Sequence, residues 1–187
     1  MRLYALCDQE LIDAKGLLLE DFVEIAKQKN AEILQYRNKS ADIAFIKQQL
    51  IKIRKLYDGF LIVNDAYELI EFCDGVHVGQ EDLRIIDKDI FTAVKILKEV
   101  VGKDKIIGIS THNEDEVLQT NKMDLNYIGL GAYRNTTTKN DVSTVLGDRL
   151  DKIASLSKHP VAAIGGVRES DTFMHVTYHV IGSGLVS

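Results

Sequence analysis

Short runs of apolar residues that do not alternate with polar ones recur along this chain, each followed by a longer stretch with helical spacing. The runs are Leu3–Cys7, Ile33–Tyr36, Phe60–Val63, Val76–Val78, Lys105–Ile109, Asn126–Leu130, Val161–Ile164 and Val180–Leu185. A strand wetted on one side alternates apolar with polar residues, whereas a strand apolar throughout is buried on both faces, as in a parallel sheet. Between the runs, Ile43, Ile46, Leu50, Ile53 and Tyr57 recur at three and four residues, as do Ile90, Val94, Leu97 and Val101. That spacing gathers side chains on one helix face. Eight runs in 187 residues leave about 23 residues per unit, enough for a strand and the dozen or so residues of a parallel crossover. The pattern predicts an α/β chain folded as a single (β/α)8 TIM barrel over residues 1–187. An open doubly wound sheet has the same pattern, but no glycine-rich phosphate loop follows the first run.

The C-terminal end departs from an ideal barrel. The stretch between Gly166 and Val180 carries Thr172, Thr177 and Tyr178 and forms helix poorly. The last run ends almost at Ser187. The expectation is therefore an incomplete C-terminal end lacking the last outer helix, with the seam so exposed covered by a homo-oligomeric partner or a rearranged segment, or left loose.

Composition narrows the function classes. The formal net charge of −5 disfavours nucleic-acid binding through phosphate neutralisation, while leaving room for a local cationic cluster that takes a small anion. No apolar run approaches the roughly 20 residues of a membrane span, and the opening residues reach Asp8 too soon for a signal peptide. Cys7 and Cys73 flank apolar runs and read as buried free thiols of a reducing compartment. A cytoplasmic location is expected.

Polar residues collect where the apolar runs end: Gln35–Lys39, Asn64-Asp65, Glu81-Asp82, Ser110–His112, Thr136–Lys139 and Gly165-Gly166. In a barrel these ends share one mouth, where active sites form. On an extended backbone Gln35, Arg37 and Lys39 face one way, so they could clamp a diphosphate or be solvated groups at a strand's exit. Asp65 and Asp82 follow sequential strands. Two carboxylates near two cations suit Mg2+ on a diphosphate, or they are loop acids and helix caps. Asn64 could bond a phosphate oxygen or stabilise a turn. Ser110, Thr111 and His112 could donate a hydroxyl proton or move a proton, or cap the next helix. His77, inside an apolar run, reads as a core histidine. Thr136, Thr138 and Lys139 could close over an anion or belong to a plain surface loop. The glycine-rich ends Gly165-Gly166 and Gly182-Ser183-Gly184 could present amides to a phosphate.

The pieces Gln35-Tyr36-Arg37-Asn38-Lys39, Val63-Asn64-Asp65, Asp74 through Asp82, Gly108 through His112, Tyr127 through Gly131, Thr136 to Lys139 and Ala163 through Gly166 together resemble the thiamine phosphate synthase family. The resemblance runs from Leu3 through Ser183. It implies a transferase that couples 4-amino-5-hydroxymethyl-2-methylpyrimidine diphosphate to a thiazole phosphate and releases diphosphate. Position by position, it implies that Gln35, Arg37, Lys39 and Asn64 hold the pyrimidine diphosphate and that Asp65 and Asp82 ligate Mg2+. It places Ser110 near the pyrimidine and diphosphate, Thr136, Thr138 and Lys139 on the loop with Lys139 at the diphosphate, and Gly166 and Ser183 at the thiazole phosphate. Arg37, Lys39, Ser110 and Lys139 are the expected catalytic groups. The chain departs from the family's usual pattern at Asn135, where a proline is common, and in a short segment from Lys139 to Leu150. Two alternatives stay open: a thiazole tautomerase of the same superfamily, served by His112, and a non-catalytic barrel that binds a phosphate ligand.

Overall fold

The structure, a computed structural model, describes residues 2–135 and 145–186. The eight apolar runs form eight parallel strands: β1 (Arg2–Asp8), β2 (Ile33–Arg37), β3 (Phe60–Asn64), β4 (Gly75–Val78), β5 (Ile106–Thr111), β6 (Tyr127–Leu130), β7 (Val161–Ala163) and β8 (Tyr178–Ile181). Each pairs with the next, and β8 pairs with β1 in the register Arg2↔Tyr178 to Ala5↔Ile181, closing the barrel.

Both strand faces are buried, as the continuous apolar runs require, but against different neighbours. One alternation of residues fills the barrel axis, where Tyr4, Leu6, Ile33, Ile62, Tyr127, Ala162, Tyr178 and Val180 form a separate cluster. The other, including Leu3, Ala5, Leu34, Tyr36, Leu61 and Val63, packs outward under the helices. Gly108 makes room on the axis: a Cβ there would lie 2.1 Å from the Tyr127 ring.

The outer layer contains α1 (Gln9–Ala14), α2 (Leu19–Gln28), α3 (Ile43–Leu56), α4 (Gln80–Ile86), α5 (Ile90–Val101), α6 (Glu114–Thr120) and α7 (Arg149–Ala154), with a 3-10 helix at Tyr67–Phe72. Their starts follow from side-chain caps. Asp42 accepts from Phe45 N at 2.8 Å, Asp89 from Thr92 N at 3.2 Å and Asn113 from Glu116 N at 2.9 Å, each satisfying a first-turn amide that has no partner within its helix. On α3, Ile46, Leu50 and Ile53 are buried, each contributing about 1.5–3 kcal/mol of burial. No helix of the described residues is long and apolar enough to cross a membrane.

The expectation of an incomplete C-terminal end is overturned. The barrel is complete: β8 is hydrogen-bonded on both sides, to β7 and β1, and a last helical turn, the 3-10 helix Ser183–Leu185, follows it. The strand lies at Tyr178–Ile181 rather than Val180–Leu185, because the polar atoms of Tyr178 and His179 hide a start whose side chains are nonetheless buried. The seam that motivated a covering partner is closed from within the chain. Leu185 enters the outer core, Lys15 Nζ at the end of α1 donates to the Val186 carbonyl at 3.2 Å, and Phe173, from the segment between β7 and β8, packs edge-on to both His179 and Tyr133.

Candidate functional site

Residues of the inward alternation at the C-terminal ends of β1 to β5 become polar, so the axis that is apolar below opens into a polar mouth. Asp8 and Arg37 are register partners at the ends of β1 and β2. Their side chains are 3% and 11% exposed, and Arg37 Nη1 donates to Asp8 Oδ2. The other Asp8 oxygen accepts from Leu11 N at 3.3 Å, capping α1. One buried carboxylate therefore fixes both the guanidinium and the first helix. Arg37 Nε is buried with no hydrogen-bond partner among the described residues, although buried donors are nearly always paired.

Gln35 Nε2 donates to Asn64 Oδ1 at 2.8 Å, and Asn64 Nδ2 donates to Asp65 Oδ2. Asp65 occupies the left-handed region at φ 60°, which Asp tolerates better than most residues. There its Oδ1 accepts from Gly79 N at 3.2 Å. Lys39 Nζ lies 3.8 Å from Asp65 Oδ2. Asp82 is not in a loop: it sits in the first turn of α4, whose N-cap is Gly79. A Cβ on Gly79 would come within 2.9 Å of Asp82 Oδ2, so both carboxylates flank that glycine. Burial, and then the charge of Asp82, push the Asp65 carboxyl above its ordinary value, against the opposing pull of the Gly79 amide, Lys39 and Arg37. Arg37, Lys39, Asp65 and Asp82 thus share one electrostatic environment.

This pair fits Mg2+. Two crowded carboxylates, one of them disfavoured as an anion, gain from a divalent cation between them. No group of three or more His, Cys, Asp or Glu suited to a metal occurs among the described residues.

Ser110, half-buried at the end of β5, lies with Oγ 3.0 Å from His77 Nε2, and its carbonyl accepts from Gln80 Nε2 at 2.7 Å. His77 is buried on the inward side of β4 and contacts Tyr127 Oη through Nδ1 at 2.9 Å. Thr111 faces the other way, donating to the Gly129 carbonyl at 2.9 Å. His112 is held by Glu116, with Nδ1 3.0 Å from Oε2.

Gly165 and Gly166 end β7 at φ 85° and 66°, a conformation that strains residues bearing a Cβ. Arg134, beyond β6, straps this turn: Nη1 donates to the Gly166 carbonyl at 2.7 Å, and the guanidinium forks onto Asp171 at 2.6 and 2.7 Å. Ser183 begins the exposed turn after β8. Thr136, Thr138 and Lys139 lie outside the described residues.

Gln35, Arg37, Lys39, Asn64, Asp65, Asp82 and Ser110 therefore gather at one end of the barrel, with Gly166 and Ser183 at the ends of β7 and β8. Sequence reasoning passed over Asp8, Tyr4, Tyr127, Gln80 and Arg134. The signal for Asp8 was present, since it shares the inward parity of Tyr4 and Leu6.

Residues 3–187 match the family model described as thiamine monophosphate synthase. The chain is 30% identical over 191 residues to a thiamine-phosphate synthase of Clostridium acetobutylicum, covering 100% of this chain and 85% of that protein. It is 31% identical over 176 residues to one of Persephonella marina, covering 91% and 79%. The structure superposes on that of thiamine phosphate pyrophosphorylase from Pyrococcus furiosus with a TM-score of 0.76 at 25% identity, covering 97% of this chain and 85% of that one.

Proposed function

The chain belongs to the thiamine monophosphate synthase family, and from that premise we propose that it couples 4-amino-5-hydroxymethyl-2-methylpyrimidine diphosphate to a thiazole phosphate, releasing diphosphate. The observation that carries this reading is the cluster of Arg37, Lys39, Asp65 and Asp82 in one electrostatic environment at the mouth. A binder of a monophosphate alone has little use for both cations and both acids.

The reaction breaks the bond between the pyrimidine's methylene carbon and the diphosphate oxygen. The electron pair leaves with diphosphate, and the methylene becomes a cation stabilised by the ring. The thiazole nitrogen then donates its pair to that carbon, so no protein nucleophile is needed. The groups required are those that offset negative charge on the leaving oxygens. Arg37, oriented by Asp8, presents a planar fork, and Lys39 adds a point charge beside Asp65. Arg37 Nε, buried without a partner among the described residues, supports an anion as its partner. Asp65 and Asp82 would hold Mg2+, which supplies positive charge to the diphosphate when bound. Gln35 and Asn64 orient the pyrimidine diphosphate, Ser110 meets its ring, and the turn at Gly166 with Ser183 receives the thiazole phosphate. Thr136 and Thr138 are assigned to substrate binding, and Lys139 to the diphosphate, on resemblance alone.

The test is incubation of the chain with both substrates and Mg2+, followed by mass spectrometry. Thiamine phosphate should form and should cease to form when a chelator is added. Two intact substrates after prolonged incubation would overturn the proposal.

A further inference from the structure

Seven side chains form one continuous hydrogen-bonded arc that dips from the mouth into the barrel axis and returns to it: Asp65, Asn64, Gln35, Tyr4, Tyr127, His77 and Ser110. The contacts are Asn64 Nδ2 to Asp65 Oδ2, Gln35 Nε2 to Asn64 Oδ1 at 2.8 Å, Tyr4 Oη to Gln35 Oε1 at 2.7 Å and Tyr4 Oη to Tyr127 Oη at 2.8 Å. The arc continues from Tyr127 Oη to His77 Nδ1 at 2.9 Å and from His77 Nε2 to Ser110 Oγ at 3.0 Å. The tyrosines and His77 are buried, and the His77 ring stacks on Tyr127 with centroids 5.5 Å apart.

The direction of every bond follows from the carboxylate end. A carboxylate only accepts, so Asn64 turns its amino group to Asp65 and its oxygen to Gln35. Gln35 then turns its amino group to Asn64 and its oxygen to Tyr4. Tyr4 has a single proton and gives it to Gln35, so its oxygen accepts from Tyr127. Tyr127 has in turn spent its proton, so its oxygen accepts from His77, and Nδ1 must carry hydrogen. In the neutral ring Nε2 is then bare and takes the hydroxyl proton of Ser110.

We infer that His77 and Tyr127 are positioning residues: the arc locks His77 as the Nδ1–H tautomer and fixes Ser110 with its proton turned inward, so that the Ser110 oxygen offers the mouth lone pairs only. Ser110 then accepts from an N–H or O–H of a ligand and rejects a bare phosphate oxygen. Set on the proposed reaction, this assigns Ser110 to a hydrogen-bond donor on the substrate's ring portion and leaves the diphosphate to the cations. The identity of that ligand group rests on the proposed function; the tautomer does not.

The test is 15N NMR of the His77 ring in the full chain at a pH where the ring is neutral, without substrates. The expected spectrum has Nδ1 protonated and Nε2 bare. A wild-type ring protonated on Nε2 overturns the inference. Tyr4→Phe, which removes the hydroxyl bonded to Gln35 and Tyr127, frees the Tyr127 proton to turn toward His77. The ring should then shift, wholly or in part, to the Nε2–H form. An unchanged tautomer in a folded Tyr4→Phe variant, with folding judged from its amide spectrum, overturns the relay from Asp65. Because both spectra are recorded on the free chain, a failure of the synthase reading would appear as absent product with the tautomer intact.

Discussion

Asp8 serves two donors at once, so its replacement separates charge from capping. One oxygen accepts from the Leu11 amide and the other from Arg37. Asparagine has a single acceptor oxygen and cannot serve both. Its amide group must face either the helix amide or the guanidinium, donor against donor. With both side chains nearly inaccessible, Asp8→Asn leaves a buried cation without its ion-pair partner. The low end of the cost of breaking such a pair is about 3 kcal/mol. For a chain of this length that lowers the melting midpoint by roughly 6–12 °C, within what a domain stabilised by about 5–15 kcal/mol survives. Asp8→Ala also deletes the α1 cap and should cost about 1 kcal/mol more. The penalty comes from the stranded charge, so Asp8→Asn combined with Arg37→Met should recover most of the loss. Urea denaturation of the three variants reads these differences as midpoint shifts at constant m-value. A loss below about 0.5 kcal/mol for Asp8→Asn would refute the claim that Arg37 depends on Asp8. A double variant no more stable than the single one would refute the stranded charge as the cause.

Further outcomes follow from the neighbouring groups. Asp65 has its pKa raised in the folded chain, so the metal-free protein should hold that stability at acid pH and lose it as pH rises from near 3.8 through the raised value. Asp82→Asn should lower the Asp65 pKa and flatten that loss, and a carboxyl titration by 13C NMR unmoved by the substitution would deny the pairing. Gly108→Ala places a methyl inside the Tyr127 ring and should cost at least the upper end of the about 1–3 kcal/mol typical of overpacking, measured by thermal denaturation. Arg134→Ala removes a partly exposed strap, so its stability should change little. On the proposed reaction, its KM for the thiazole phosphate should rise while that for the pyrimidine diphosphate stays, as steady-state kinetics would read.

The strands were legible because two-sided burial writes itself as uninterrupted apolar runs. Parity did the same for Gln35 and Arg37, which share the inward face with Ile33. Legibility failed where a polar atom serves the interior. Tyr178 and His179 look like a strand's polar flank, yet their rings are buried in a sheet whose eighth member they begin. Gln80, Glu81 and Asp82 read as a loop because they carry no apolar stripe, although Gly79 starts a helix there. His77 read as a core histidine, and it is buried as such, but its two ring nitrogens join Tyr127 to Ser110. No periodicity reports a bond between residues 33 positions apart. The family resemblance, by contrast, rested on short motifs where the apolar runs end, and two of them, Gln35 to Lys39 and Asn64-Asp65, meet at the mouth.

The two alternations of each strand divide labour between neighbours in the chain: Leu34 and Tyr36 hold the outer layer, while Gln35 and Arg37 face the mouth. Sliding β2 by a single position would exchange these duties outright, turning a cation into the packing under the helices and a leucine into the lining of the mouth. Variation in such a chain is therefore quantised. One residue can be added or lost where the backbone turns between elements, but within a strand only an even number preserves the direction in which every later side chain points.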